Sequence, residues 1–139
     1  MAKNGVPVLR KISDSSRAVA SPEEDVRGRK VVSTEGDELG KVEDLLIDEE
    51  EGRVRFLLVE HGGFLGLGER KTFVPVDAVV DVRAEQVVTS QSRVRMADAP
   101  PYDPELADET RYYEDVFRYF GMAPFWGAGY VYPPYPHYR

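Results

Sequence analysis

Three short stretches of this chain hold residue types that could do chemistry. The segment "GGFLGLGERKTFVP", residues 62–75, places four glycines within seven positions and follows them with Lys71 and Thr72. Glu60 and His61 set a carboxylate beside an imidazole, and Asp48-Glu49-Glu50-Glu51 gathers four carboxylates. The chemistries at issue are phosphate binding, acid–base work and metal coordination.

None of the three has the required frame. A P-loop needs G-x-x-x-x-G-K-[ST], and a dinucleotide loop needs G-x-G-x-x-G between a strand and a helix. Here the glycines stand at 62, 63, 66 and 68, in the reverse order G-x-x-G-x-G, and a β-branched run follows instead of a helix. Without a helix N-terminus there is no dipole or row of amides to receive a phosphate. Gly62, Gly63, Gly66 and Gly68 are therefore structural turn residues, as are Gly40 and Pro75. Glu60 and His61 are neighbours on a strand and point to opposite faces; His61 reads as a solvent-exposed strand end. The acidic run is shorter than a calcium loop with alternating ligands and a central glycine. It reads as a solvated hairpin tip. No serine has a base partner and the chain has no cysteine, so nucleophilic catalysis has no footing. We expect no enzyme, no cofactor and no metal.

The elements around these stretches are short strands. "RKVVST" ends at the turn-like "EGDELG"; "KVEDLLID" and "RVRFLLVE" flank "EEEG" as a hairpin; "KTFVPV", "AVVDV" and "QVVTS" follow. In "RVRFLLVE", Val54, Phe56 and Leu58 share an apolar face, and Arg55, Leu57 and Val59 share a mixed one. Pro75 assigns its strand to an edge or a bulge. About six strands at roughly ten-residue spacing predict a small barrel or sandwich.

Upstream, residues 1–24 are polar and broken by Pro7 and Pro22, and read as a flexible arm with "VPVL" as a possible edge strand. Downstream, residues 99–121 read as a proline-containing linker and one amphipathic helix, starting at Asp103-Pro104 or at Asp108. Tyr112, Val116 and Phe120 repeat at i, i+4, i+8 with Tyr113 and Phe117 beside them. Glu114 and Arg118 stand in i, i+4 register, and Gly121 is placed to stop the helix. Residues 122–139, "MAPFWGAGYVYPPYPHYR", form an irregular Pro/Gly/Tyr tail. Of the fifteen aromatic residues in the chain, eleven lie from Tyr112 to Tyr138. This clustering singles out the C-terminal extension.

The run G-x-x-L-G-K-V-x-D-L-x-I-D ending at Asp48, the strand G-x-V-x-F-L-x-V-E, the glycine-rich loop and Val74-Pro75 together resemble the PRC-barrel family over about residues 27–97. The fold takes its name from the cytoplasmic domain of the photosynthetic reaction-centre H subunit and recurs in a ribosome maturation factor. The resemblance implies a mainly β, partly open barrel of about six strands over residues 25–98, acting as a binding or assembly surface without chemistry of its own. The H subunit's membrane-spanning segment and the ribosome factor's separate N-terminal barrel have no counterpart in this sequence. The chain thus resembles stand-alone bacterial members with a helical, aromatic extension.

Composition narrows the partners. A formal net charge of −7 over 139 residues disfavours phosphate-backbone binding and anionic membranes. No stretch approaches the length of a membrane span, and the N-terminus has no apolar signal core, so a cytoplasmic location is expected. The leading expectation is a protein-interaction or assembly module, binding a protein partner or itself as a homodimer. Tyr112, Tyr113, Phe117, Phe120, Trp126 and Tyr130 are the candidate interaction residues, with Trp and Tyr favoured as hot spots. For Tyr112, Val116, Phe117 and Phe120 the leading reading is packing on the chain's own barrel or on that of a twin subunit. An RNA- or ribosome-associated factor, with tyrosines stacking on bases, is the first alternative. A small-molecule or metal-binding stress regulator, resting on His61 and the acidic hairpin, is the second.

Overall fold

Glu38–Asp48, eleven residues whose Leu39, Val42, Leu45, Leu46 and Ile47 are buried, make the longest strand among the described residues, and the other strands are arranged around it. The structure is a computed structural model that describes residues 9–12, 25–48, 53–62, 69–100, 110–127, 129–133 and 135. Among the described residues seven strands form one mixed sheet: β1 (Leu9–Lys11), β2 (Lys30–Ser33), β3 (Glu38–Asp48), β4 (Val54–Gly62), β5 (Glu69–Pro75), β6 (Val79–Val82) and β7 (Gln86–Thr89). Six of them run in the order β5-β4-β3-β2-β7-β6, and the path does not close on itself. This is the mainly β, open barrel-like sheet expected from the sequence.

β3 is long enough to pair with two strands along one side. Its first residues pair with β2, Lys41 opposite Lys30, and its last with β1, Asp48 opposite Leu9. β4 takes the other side through Val42–Val59, Leu45–Leu57 and Leu46–Phe56 pairs. Leu9–Lys11 and the buried Ile12 therefore belong to the sheet and its core, Leu9 being the last residue of the "VPVL" read as an edge strand; the rest of residues 1–24 lies outside the described residues. β5 is an edge strand, in keeping with Pro75, whose missing N–H ends the ladder before a 3-10 turn at Val76–Ala78.

Two features depart from the sequence-based expectation. β2 and β7 pair in parallel, Val31 beside Val87, a union of distant segments that no hairpin signal announces. Arg93–Asp98, within the segment read as β, is a short helix α1 capped by the Ser92 hydroxyl, which accepts from Arg95 N at 3.2 Å. Its six residues are too few to show a period, and burial of Met96 anchors them.

β4 is buried from Val54 to Val59 on both faces, although alternation suggested one mixed face. On one face Phe56 meets Phe73, Tyr113 and Phe117 at centroid distances of 5.6, 5.5 and 4.9 Å. β5 supplies Phe73, and the second helix, α2 (Thr110–Tyr119), supplies Tyr113 and Phe117. On the opposite face Leu57 and Val59 line up with Val42, Leu45 and Val74, all buried. A sheet covered on both sides reads as a continuous apolar run.

α2 buries the stripe expected of it: Tyr112, Tyr113, Val116, Phe117 and Phe120. Gly121 stops it in a left-handed conformation, φ 73°. Met122 N bonds Phe117 O at 2.9 Å and Gly121 N bonds Arg118 O at 3.0 Å, the paired bonds of a Schellman motif. The two candidate start sites, Asp103 and Asp108, lie outside the described residues. Arg118 pairs with Asp115 at 3.0 Å instead of the expected Glu114, an exposed i, i+3 contact of small consequence. α1 and α2 are clasped together: Arg95 lies over the Tyr119 ring at 4.0 Å and donates to its carbonyl, while Tyr119 Oη donates to Arg95 O at 2.6 Å.

Candidate functional site

The end of the β3–β4 hairpin carries the polar groups that organise the C-terminal tail. Arg55 follows Val54 on a strand otherwise apolar to Val59, and Asp48 closes β3 nearby. Arg55 Nε donates to Asp48 Oδ2 at 2.6 Å, and both side chains are buried. Two charges removed from water are tolerable only as a well-made pair. Removing one member of such a pair typically costs about 3–5 kcal/mol, because the other is left buried.

The tail adds its rings to this pair. The Arg55 guanidinium lies 4.5 Å from the Phe125 centroid and 5.4 Å from that of Tyr132, and Arg53 lies 3.8 Å from Tyr132. Planar guanidinium groups suit aromatic faces, each contact contributing about 0.5–2 kcal/mol. Two hydroxyls then hook the tail to the barrel. Tyr132 Oη donates to Val54 O at 3.0 Å, and Tyr130 Oη donates to Asp77 Oδ2 at 2.9 Å. Asp77 stands in the 3-10 turn directly after Pro75, so the proline that ends β5 also sets the position of the acceptor. Burial pushes the Asp77 carboxyl above its ordinary value, although the Tyr130 bond opposes that shift. Burial, and then the Asp77 charge, push the Tyr130 phenol up as well, so it remains a donor. Closer to α2, Trp126 is half-buried and meets Phe117 edge-on at 5.8 Å and Phe125 at 5.0 Å.

These positions revise the candidate interaction residues. Tyr112, Tyr113, Phe117 and Phe120 are buried in the chain's own core, so a partner cannot reach them while α2 is docked. The physical reason is that a ten-residue helix is marginal alone and this sheet offers Phe56 and Phe73 as a bed. Trp126 and Tyr130 pack against the core with part of each ring open. Arg55 and Asp77 were not singled out by sequence, and Asp48 was noted only in the acidic run and the family-like motif, not as a partner of Arg55. Their one signal was an arginine interrupting an apolar strand, read as a mixed face.

The glycines divide differently from expectation. Gly40 is not in a turn; it lies within β3, where a Cβ would stand 2.4 Å from Glu60 O and 2.9 Å from Val59 Cγ1. Close strand approach, and not chain reversal, demands glycine there. Gly62 ends β4, and Gly63, Gly66 and Gly68 lie outside the described residues.

The other candidates have local partners. His61 is half-buried and not solvent-exposed as expected, because Nε2 and Thr72 Oγ1 share a hydrogen bond of 2.8 Å across the β4–β5 pair. Burial, then the Arg70 charge, hold its imidazole below its usual pKa. Lys71 pairs with Glu43 at 2.9 Å, and that bond lowers the Glu43 carboxyl. Among the described residues no group of three His, Asp or Glu is arranged to hold a metal; Glu49, Glu50 and Glu51 lie outside them. Arg27, Arg29 and Lys30 line a cleft of about 600 Å³ together with Glu85. Each is engaged locally, Arg27 with Asp25, Arg29 with Arg83 O and Lys30 with Glu38. No helix among the described residues is long and apolar enough to cross a membrane.

Comparison with known proteins agrees with this geometry. None of the curated proteins compared matches the chain. The family model for the PRC-barrel domain matches residues 23–95, more than half of the chain. That span contains β2 to β7 together with Arg53, Val54, Arg55 and Asp77, which hold the tail, and with it this chain belongs to the PRC-barrel family.

Proposed function

We propose that the protein is a non-enzymatic interaction or assembly module, working in the cytoplasm and engaging a protein partner or a second copy of itself. One observation carries this reading. The aromatic tail is held by a few side-chain hooks while presenting apolar surface outward: Trp126, Tyr130 and Tyr132 are half-buried, and Val131 between the two tyrosines is 81% exposed. Trp and Tyr are enriched among the residues that anchor protein interfaces, and the exposed Val131 adds apolar area beside them. PRC-barrel membership supports the same reading.

The test compares the full chain with Trp126→Ala and Val131→Asp variants, measuring both the mass in solution and the affinity for co-purified partners. A module that binds through this face loses mass or partners in both variants while its melting temperature changes little for Val131→Asp. Unchanged mass and unchanged partner affinity in both would remove the tail from the interface.

A further inference from the structure

The tail and the surface beneath it come from different parts of the chain. Asp48, Arg53, Val54, Arg55 and Asp77 all lie within the family-matched residues 23–95, and the tail rings held there, Phe125, Tyr130 and Tyr132, lie after α2. The barrel side offers two fixed acceptors, Val54 O and Asp77 Oδ2, and two planar cations, Arg53 and Arg55. The tail offers Phe125, Tyr130 and Tyr132 from a backbone with no regular secondary structure. Rings against guanidinium faces, and tyrosine hydroxyls on fixed acceptors, are how a groove holds an extended aromatic segment.

We propose that this end of the barrel is a recognition groove for a proline-flanked aromatic segment bearing Tyr-x-Tyr, and that the chain's own tail is its resident occupant, displaced when a partner protein supplies such a segment. The proposal rests on the interaction-module reading and names the kind of partner.

Three features make the tail displaceable where α2 is not. α2 is bound by buried rings, whereas in the tail Phe125 and Tyr135 are buried and Trp126, Tyr130 and Tyr132 keep part of each ring in water. The Tyr130 hydroxyl sits 2.9 Å from Asp77 Oδ2, a single neutral-donor bond to a carboxyl that burial already pushes above its ordinary pKa. The acceptors and cations remain on the barrel when the tail leaves, so the groove survives its occupant. Tethering gives the tail an effective concentration on the order of millimolar. An incoming segment therefore meets an open fraction below one, and its apparent affinity falls by that fraction.

The chain contains one tryptophan, Trp126, which lies in the tail. Its emission reports docking without labelling. The experiment titrates the full chain with a fluorescein-labelled peptide of residues 122–135 in which Trp126 is replaced by Phe, so that only the resident tail emits. Peptide anisotropy and Trp126 emission are followed together. The expected result is saturable binding accompanied by a red shift of Trp126, with about tenfold tighter apparent binding to the Tyr130→Phe chain, which loses one hook and retains the groove. Binding without a red shift, or equal binding to both chains, overturns displacement. No binding to a Tyr130→Phe chain whose Trp126 emission is already shifted overturns the groove itself. No binding to either chain with Trp126 unshifted shows a tail that does not leave, and also overturns the proposal. The two readings fail separately. Displacement by peptide with partners indifferent to Trp126→Ala removes the module reading, while tail-dependent partners with an inert peptide remove only the groove.

Discussion

α2 and the tail are both rich in tyrosine and phenylalanine and both lie on the same sheet, yet they are held in different ways. α2 inserts Tyr113 and Phe117 against Phe56 and Phe73, with burial near complete. The tail rests on Arg53 and Arg55 and fastens two hydroxyls to Asp77 and Val54. Composition does not distinguish the two regions; the surface each one meets does. An apolar bed gives an area-driven, fold-defining contact, and a bed of cations and acceptors adds directional contacts to the burial of Phe125 and Tyr135.

Substitutions on the two sides should separate accordingly. Phe117→Ala removes a fully buried ring shared by Phe56, Phe125 and Trp126. We expect about 3–5 kcal/mol of lost global stability, read by denaturant unfolding. A loss below about 1 kcal/mol would mean that α2 is no more integral than the tail.

Asp48→Ala strands Arg55 in a buried setting, and about 3 kcal/mol should be lost. Here the comparison sharpens, because Arg55 serves both the hairpin and Phe125. Trp126 emission should shift at denaturant concentrations where the far-UV signal is still native. Coincident transitions would show that tail and barrel unfold as one unit.

Gly40→Ala belongs to the barrel alone. Its new Cβ meets Glu60 O, which is backbone and cannot rotate away, so about 1–3 kcal/mol should be lost without any change in Trp126 emission. Tyr130→Phe belongs to the tail alone. It should shift Trp126 and lower global stability by no more than about 1 kcal/mol.

The smallest effect concerns pH. The fold holds the His61 imidazole below its ordinary 6.5, so the unfolded chain binds the proton more readily. Stability from this group is present above pH 6.5 and is lost as the pH falls below that value. Thermal melts at pH 7.5 and 5.5 should therefore differ less for His61→Gln than for the native chain. Trp126 should report the same tail state in both, since His61 bonds Thr72 on the hairpin and not the tail.

Local chemistry made much of the fold legible. The β3–β4 hairpin follows from two apolar runs around a polar turn, the stripe of α2 from its four-residue spacing, and its end from Gly121. Gly40 was misread because a glycine beside "EGDEL" looks like turn chemistry, while its real constraint is a strand passing within 2.4 Å of where a Cβ would be. Arg55 was visible only as an irregularity, since nothing local to it names Asp48 and Phe125 as partners.

The sequence by itself determined the β-rich barrel class, the absence of a phosphate-loop frame in the glycine segment, and the presence of an aromatic helix needing a surface. All of these rest on propensity, spacing and composition, which act between near neighbours. Only the tertiary structure decided that β2 and β7 run parallel, that β4 is buried on both faces, and that Asp77 and Arg55 hold the tail. Those outcomes join residues such as Tyr130 and Asp77, which are 53 positions apart. Contacts of that span are set by which surfaces meet when the chain closes on itself.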